Sequence, residues 1–428
     1  MFTYLHPRDE ILALMQRIYG YRMTTTSGGN LSICEENGDV WITPARVDKG
    51  SLRRDDIVCV HPGGAVDGVR PPSSELPLHQ TIYSRRPDVR GIAHAHPVAL
   101  VAFSMAHAVP DTRVFHQSRH VCRDAAFAAY ELPGSEALGD TVGGVFARGH
   151  DAVILENHGV VTAGASLQEA FRRFETLEFT GKTIIKARLL GEVRYLTEEE
   201  ISLAVRRQKP LPEFDREAPS SAEKELRNVL SEFIRRAYRQ RLFISTQGSF
   251  SARLDSASFL ITPYELDRGA AEPRDLVLIR DGRSEAGRTP SRAAVIHDAI
   301  YRRRPEVGAI VNAYPVNATA FSVTSTPLDT RTIPESYVVV RRVARAPYGL
   351  QFEDADAVAA RITPATPALL LENDGVLVTG ASVLEAFDRL EVLESTAEAL
   401  INCRAIGPLA PMPESAIREL AAAFGLPD

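Results

Sequence analysis

Near the start of the chain Ile11, Leu12, Met15 and Ile18 recur at intervals of three and four, the spacing that gathers apolar side chains on one helical face, and Asp9 can cap that helix. The pattern then shortens. LSIC (31–34) and VWIT (40–43) flank the turn formers Asn37, Gly38 and Asp39 and read as a hairpin. A strand IVCV (57–60), a helix from about Pro77 to Ser84, and strands GIAHAH (91–96) and AVILEN (152–157) follow. Ser166 then opens a long helix, LQEAFRRFETLEFTGKTIIKARLL. Strands alternating with helices describe an α/β layered domain, and the hairpin connection implies a sheet that is not purely parallel.

The pattern occurs twice. PPSSELPLHQTIYSRRPDVRGIAHAHP (71–97) lies 218 residues before TPSRAAVIHDAIYRRRPEVGAIVNAYP (289–315), and the two agree without a gap at 12 of 27 positions. SGGNLSICEENGDVWITP (27–44) is answered by TQGSFSARLDSASFLITP (246–263), and LENHGVVTAGASLQEAF (155–171) by LENDGVLVTGASVLEAF (371–387). Such self-similarity means that one fold is present in two copies. Between them KPLPEFDREAPSSAEKE (209–225) has the Pro, Ser and charge of a linker. The expected domains are 1–214 and 215–428, which suits a 428-residue chain too long for one core.

Composition narrows the classes of function. Apolar residues make up 44% and charged residues 24%, enough to bury a core in each copy. The net charge of −6, with scattered Lys and Arg, offers no footprint for nucleic acid. No apolar run approaches the roughly 20 residues of a membrane span. Four cysteines without paired spacing, and MFTYLHPRDE without a charged-then-apolar leader, point to the cytoplasm.

The candidate chemistry lies in the first copy. His94 and His96 are two apart on a strand, so both imidazoles face the same way and can share a metal ion; a core histidine beside a surface one is the plainer alternative. His158 ends an apolar strand before Gly159 and can supply a third imidazole, the number typical of a zinc site with an open position. Glu75 follows Ser73 and Ser74 at a helix start, where the helix dipole favours an anion, and is either an acid/base or a first-turn glutamate. The duplication tests these readings. Glu75, His94, His96 and His158 correspond to Ala293, Asn312, Tyr314 and Asp374, whereas Pro72, Ser73, His79, Tyr83 and Pro97 recur as Pro290, Ser291, His297, Tyr301 and Pro315. Chemistry differs where scaffold persists, which expects an intact metal site in the first domain and its loss in the second.

The motifs GGNLSI, ITPxxVDKG, SSExxxH, HAHP and NHG, in this order, resemble the class II aldolase/adducin family, over nearly the whole chain in two copies. The resemblance implies a three-layer α/β/α domain with a mainly antiparallel central sheet, duplicated in tandem. It implies one divalent ion on His94, His96 and His158, zinc first, with manganese, iron, cobalt or nickel as alternatives. It also implies Glu75 as proton shuttle, a role that needs its pKa raised by burial against the opposing charge of the ion. The expected activity is that of a lyase of the aldolase type, breaking or forming a carbon–carbon bond in a small sugar phosphate or hydroxy-ketone through a metal-stabilised enediolate. Family members that epimerise carry Asp in place of Glu75. A decarboxylase, a dehydratase and a non-enzymatic adducin-like interaction module are the competing functions.

By the same resemblance Gly29, Asn30, Thr43, Ser73 and Ser74 cradle a phosphate, work that turn and cap chemistry would equally explain. Arg46 stands where the family has a small residue or glycine and can pair with a carboxylate or phosphate. The aldolases' donor tyrosine is replaced near Phe115, leaving His116, His120 and Tyr130 as candidate proton donors. Family rings of four imply a homodimer of tandem chains with pseudo-fourfold symmetry, in which Glu335, Tyr337 and Arg341 of the second copy are candidates to reach a first-copy site.

Overall fold

The computed structural model describes residues 6–205 and 210–426. The first five residues of the leader reading and Lys209 of the linker reading lie outside them. The chain forms two compact units, one of residues up to Arg113 with Gln117–Lys182, the other of Thr183 onward with Val114–His116. Among the described residues no helix is long and apolar enough to cross a membrane.

In the first unit α1 (Pro7–Gly20) begins at His6, whose Nδ1 accepts the Arg8 N–H at 3.1 Å. His6 is therefore the cap, and Asp9 sits inside the first turn, where its charge meets the positive helix end. Pro7 fits at the first helical position because its missing N–H would have had no partner there. The strands are β1 (Asn30–Cys34), β2 (Val40–Ile42), β3 (Val58–Val60), β4 (Val66–Asp67), β5 (Gly91–Ala95), β6 (Ala126–Ala128), β7 (Ala152–Leu155) and β8 (Gly159–Gly164). They join in the order β4-β3-β2-β1-β5-β8-β7-β6, antiparallel except for the β6–β7 pair. The helices are α2 (Leu76–Arg85), α3 (Val98–Met105), α4 (His116–Cys122), α5 (Glu136–Ala147) and α6 (Leu167–Leu190), with His116 and the end of α6 from Thr183 counted in the second unit.

Side chains alternate across this sheet and so create two cores. Ala93 and Ala95 of β5, Ile154 of β7 and Val160 of β8 pack with Ile11, Met15 and Ile18 of α1, Leu100 of α3 and Phe174 of α6. Their neighbours Ile92, Val153, Leu155 and Val161 pack with Leu78 and Ile82 of α2 and Val142 and Phe146 of α5. Each fully buried large apolar side chain contributes roughly 1.5–3 kcal/mol. The sheet is thus the middle of three layers. His94, two residues from Ile92, faces the α2 side, which is the side from which Glu75 comes.

The second unit repeats the plan. Its strands are β9 (Glu213–Phe214), β10 (Ser249–Arg253), β11 (Ser258–Ile261), β12 (Val277–Arg280), β13 (Arg283–Glu285), β14 (Ala309–Ala313), β15 (Val343–Ala346), β16 (Ala368–Leu371) and β17 (Gly375–Gly380). Their order is β15-β16-β17-β14-β10-β11-β12-β13-β9, antiparallel except at β15–β16 and β13–β9. β10 pairs with β14 so that Ser249 is opposite Asn312, the register in which Asn30 is opposite His94 in β1–β5. β9 comes from the stretch with linker composition: Glu213 and Phe214 pair with Ser284 and Glu285 at the sheet edge, where Pro212 on the same stretch costs no ladder bond.

Candidate metal centre

Two segments bring the histidines together. β5 carries His94, and His96 lies just past its end, two residues on and on the same side. His158 sits in the tight link between β7 and β8, where Leu155 pairs with Gly159 and Asn157 takes a left-handed φ of 51°, a conformation asparagine tolerates well. Gly159, the next residue, supplies room, since a Cβ there would lie 2.7 Å from Cδ2 of His96 and 2.6 Å from the Ala95 carbonyl oxygen. Gly28, which sequence reasoning passed over, is held small in the same way, by Nδ1 of His96 at 2.9 Å from a Cβ at that position.

The ring centroids of His94, His96 and His158 form a triangle of 5.0, 4.9 and 5.0 Å. Nδ1 of His94 donates to the Val160 carbonyl at 3.0 Å, which leaves Nε2 as the inward atom; burial pushes this ring's pKa down, but Glu75 and the Val160 carbonyl raise it overall, so its positive charge faces Glu75. That Nε2 is 3.2 Å from Nε2 of His96 and 3.0 Å from Oε2 of Glu75, and Nε2 of His158 is 3.4 Å from Oε1 of Glu75. The potential ligand atoms of the three histidines lie within 4.8 Å of one another, so one ion can touch all three. Burial, then the charges of His94 and His158, pushes His96 down to about 3. Burial and His94 push His158 down to about 4. Both rings are neutral near pH 7, as ligands must be.

Glu75 is the residue before α2. Its side chain makes no hydrogen bond to that helix's own N–H groups and turns into the sheet. Ser73 donates its N–H to the Thr43 carbonyl at 3.1 Å, and Ala45 donates to the Pro71 carbonyl at 3.1 Å, which docks the turn before α2 on the end of β2. The expectation of a raised carboxyl pKa is corrected by the structure. Burial does push it up, but the charge and hydrogen bond of His94, the Asn30 amide and the charge of His158 together hold it well below the usual carboxylate range.

A directed hydrogen-bond chain stands behind Glu75. Nδ2 of Asn30 donates to Oε2 of Glu75 at 2.9 Å, so Oδ1 of Asn30 must accept, and it faces Nε2 of His79 at 2.5 Å. Burial and the charge of His94 push His79 down to about 3, so it is neutral and carries its proton on Nε2. Its Nδ1 then accepts from the Ser32 hydroxyl at 2.6 Å, and Tyr83 donates to Ser32 at 2.7 Å. The second copy keeps Tyr301, Ser251 and His297 in this order, with His297 Nε2 donating to Oδ1 of Asn312 at 2.7 Å. The asparagine has crossed the ladder, from the β1-type strand to the β5-type strand. Where His96 and His158 stand in the first copy, Tyr314 donates its hydroxyl to Asp374 at 3.2 Å. Among the described residues no group of three metal-ligating side chains gathers in the second copy.

The remaining candidates lie in several places, Gly29, Thr43 and Ser73 beside the segments that carry Glu75 and His94. The Thr43 hydroxyl accepts the Leu31 N–H at 3.2 Å, and the Ser73 hydroxyl accepts the Glu75 N–H at 3.3 Å. Gly29 has φ 74°, and a Cβ on it would lie 2.9 Å from the His94 carbonyl oxygen. Ser74 and Arg46 are exposed, Arg46 at φ 54°. His116 belongs to the second compact unit, with Nδ1 3.8 Å from Asp374 and its ring edge-on to Phe352. His120 is exposed on α4. Tyr130 is 54% exposed, and its N–H donates to Oε2 of Glu156 at 2.8 Å, two residues before His158. Glu335 and Tyr337 lie on the helix Pro334–Val339, and the Arg341 guanidinium stacks 4.9 Å from the Tyr337 ring centre.

Residues 9–185 and 228–401 each match the class II aldolase and adducin N-terminal domain, and the chain belongs to that family as a tandem duplication. It is 30% identical over 198 residues to 5-deoxy-D-ribulose 1-phosphate aldolase of Bacillus thuringiensis serovar kurstaki, covering 45% of this chain and 91% of that protein. It is 32% identical over 177 residues to an L-fuculose phosphate aldolase of Methanococcus maripaludis, covering 40% and 91%. The 3-oxo-tetronate 4-phosphate decarboxylase of Pectobacterium atrosepticum is 30% identical over 202 residues, covering 46% and 90%. A solved structure of L-fuculose 1-phosphate aldolase aligns at a TM-score of 0.43 and 28% identity, covering 47% of this chain and 95% of that one.

Proposed function

We propose that the chain is a cytoplasmic divalent-metal-dependent lyase of the aldolase type, acting on a small sugar phosphate or related hydroxy-ketone at the first-copy site. The observation that carries this reading is the convergence of three imidazole Nε2 atoms beside a buried carboxylate. His94, His96 and His158 would hold the ion, with zinc the first candidate for such a set. Bound there, a divalent ion supplies Lewis acidity toward a substrate carbonyl and its neighbouring hydroxyl as the carbon–carbon bond breaks. Glu75, held as the carboxylate rather than as the acid, takes the proton at the adjacent carbon through Oε1, because Oε2 is held by Asn30.

The residues around the site suggest how an anionic end is received. Thr43 and Ser73 spend a lone pair on backbone N–H groups, which leaves each hydroxyl proton free to donate outward. With Gly29 at the loop end and Asn30 occupied by Glu75, exposed Ser74 and Arg46 are the first contacts for a phosphate. Of His116, His120 and Tyr130, Tyr130 is the candidate donor whose backbone is tied, through Glu156, to the strand end that leads to His158.

A second reading, decarboxylation of a 3-oxo acid phosphate, is favoured by the relative of that activity and by Arg46 as a partner for a carboxylate. A panel of ketose 1-phosphates and 3-oxo acid phosphates separates the two. The aldolase reading expects an aldehyde and a triose phosphate in equal amounts. Carbon dioxide without aldehyde would move the assignment to the decarboxylase, and neither product would reject both. We further propose a homodimer with pseudo-fourfold symmetry, the domain boundary falling near residue 215; two chains per particle are expected by light scattering, and a monomer at micromolar concentration would remove it.

A further inference from the structure

A second cluster of ligand-type side chains lies in the first sheet, away from the histidine triangle. Asp39 precedes β2, Cys59 is in the middle of β3, and His61 follows β3. Val40 pairs with Val60 and Trp41 with Cys59, so the same ladder sets Asp39 opposite His61. Residues opposite each other across a ladder share a face, and so do residues two apart along a strand. Asp39, Trp41, Cys59 and His61 therefore share one face, and Asp67 of β4, paired with Cys59, joins them from the other side.

The distances agree with this placement. Oδ1 of Asp39 is 2.8 Å from Nδ1 of His61, Sγ of Cys59 is 4.0 Å from the same nitrogen, and all three atoms fall within 4.8 Å of one another. Asn37 holds the other Asp39 oxygen at 2.8 Å, which aims Oδ1 at the cluster. A tetrahedral zinc ion would set its S···N neighbours about 3.5 Å apart and its N···O neighbours about 3.3 Å apart. Each pair needs a shift of about half an ångström, within reach of side-chain rotation. Along β1, Asn30 beside the histidines is four residues from Cys34 next to this hairpin end, a separation of about 13 Å at ordinary strand rise.

We propose that Asp39, Cys59 and His61, with Asp67 as fourth donor, form a second divalent-cation site of the zinc type that clips β2, β3 and β4 together. A thiolate, an imidazole and carboxylates suit a borderline-soft ion better than magnesium or calcium. On binding, the Cys59 S–H bond breaks, a sulfur–metal bond forms, and one proton leaves to solvent. His61 binds through Nδ1, whose proton moves to Nε2. The equivalent positions of the second copy, aligned by the Ser258–Arg280 and Leu260–Leu278 pairs, carry Ser258, Leu278 and Arg280, so the clip is particular to the first copy.

Cobalt(II) titration of the full-length protein tests the proposal. Thiolate-to-cobalt charge transfer absorbs in the near ultraviolet, and the three-histidine site, lacking sulfur, cannot produce that band. The wild-type protein is expected to show it, Cys59→Ser to lose it, and Cys34→Ser to keep it. His61→Ala, a change at a half-exposed side chain that leaves the core alone, is expected to weaken the cobalt midpoint at least tenfold. No band at saturating cobalt, a band that survives Cys59→Ser, or one that vanishes in Cys34→Ser would overturn the site. Lyase activity is expected to be unchanged in Cys59→Ser, so failure here and failure of the lyase reading are separate outcomes.

Discussion

The His94→Ala/His96→Ala variant, made in a Cys59→Ser background so that the hairpin cluster contributes nothing, is expected to lose the divalent ion that the single Cys59→Ser protein retains. Two of three imidazoles are then gone, and a lone His158 beside Glu75 is no match for the original set. Elemental analysis reads the loss directly, and a melting curve reads it a second way. An ion that binds only the folded protein adds about 4 kcal/mol when present at 1,000 times its dissociation constant. Added zinc should therefore raise the melting temperature of the parent by several degrees and leave the double variant unmoved. The metal-free proteins differ as well. Removing the buried His94 ring takes away the 3.0 Å partner of Glu75 while the Asn30 bond remains, so the loss is that of one hydrogen bond to a charged group, about 1.5–3 kcal/mol. A double variant that still binds one ion and still responds to zinc would end the assignment.

That this set could be picked out from one sequence rests on the duplication. His79 and His94 are both buried histidines with polar partners, and burial alone gives no reason to prefer one as a ligand. Their counterparts do, since His297 persists while Asn312 replaces the other. The same comparison concealed the role of Asn30. Its partner in the ladder is His94, its side chain spans Glu75 and His79, and both facts depend on register between segments 45 to 64 residues apart. Periodicity within a segment carries no such information. Short edge strands were also out of reach: β6 is three residues, AFA, and β9 lies in a stretch whose composition is that of a linker. The Asp39–Cys59–His61 group was invisible for a related reason, because its two halves are 20 residues apart and meet only through the β2–β3 pairing. Hydrophobic period placed the layers; pairing between strands built the site.

Glu75→Gln separates holding the ion from moving the proton. Glutamine keeps the length and shape of the side chain, and its carbonyl oxygen can still accept from Nδ2 of Asn30, so the chain back to Tyr83 remains satisfied. Metal content is expected to match wild type, because the three imidazoles supply the ligand set without Glu75. What the amide cannot do is take a proton from carbon at neutral pH. A positioned acid/base contributes about 10²–10⁴-fold, so kcat on the best substrate of the panel should fall by that factor, about 2.7–5.5 kcal/mol of barrier, with KM nearly unchanged. This split is diagnostic, since a change that merely disturbed the pocket would raise KM or release the ion as well. Glu75→Asp should fall between the two, because its carboxylate is drawn back by one methylene from Asn30 and His158 while keeping its basicity. Full turnover in Glu75→Gln, with the ion still bound, would leave the three histidines as a metal site and remove Glu75 from the chemistry.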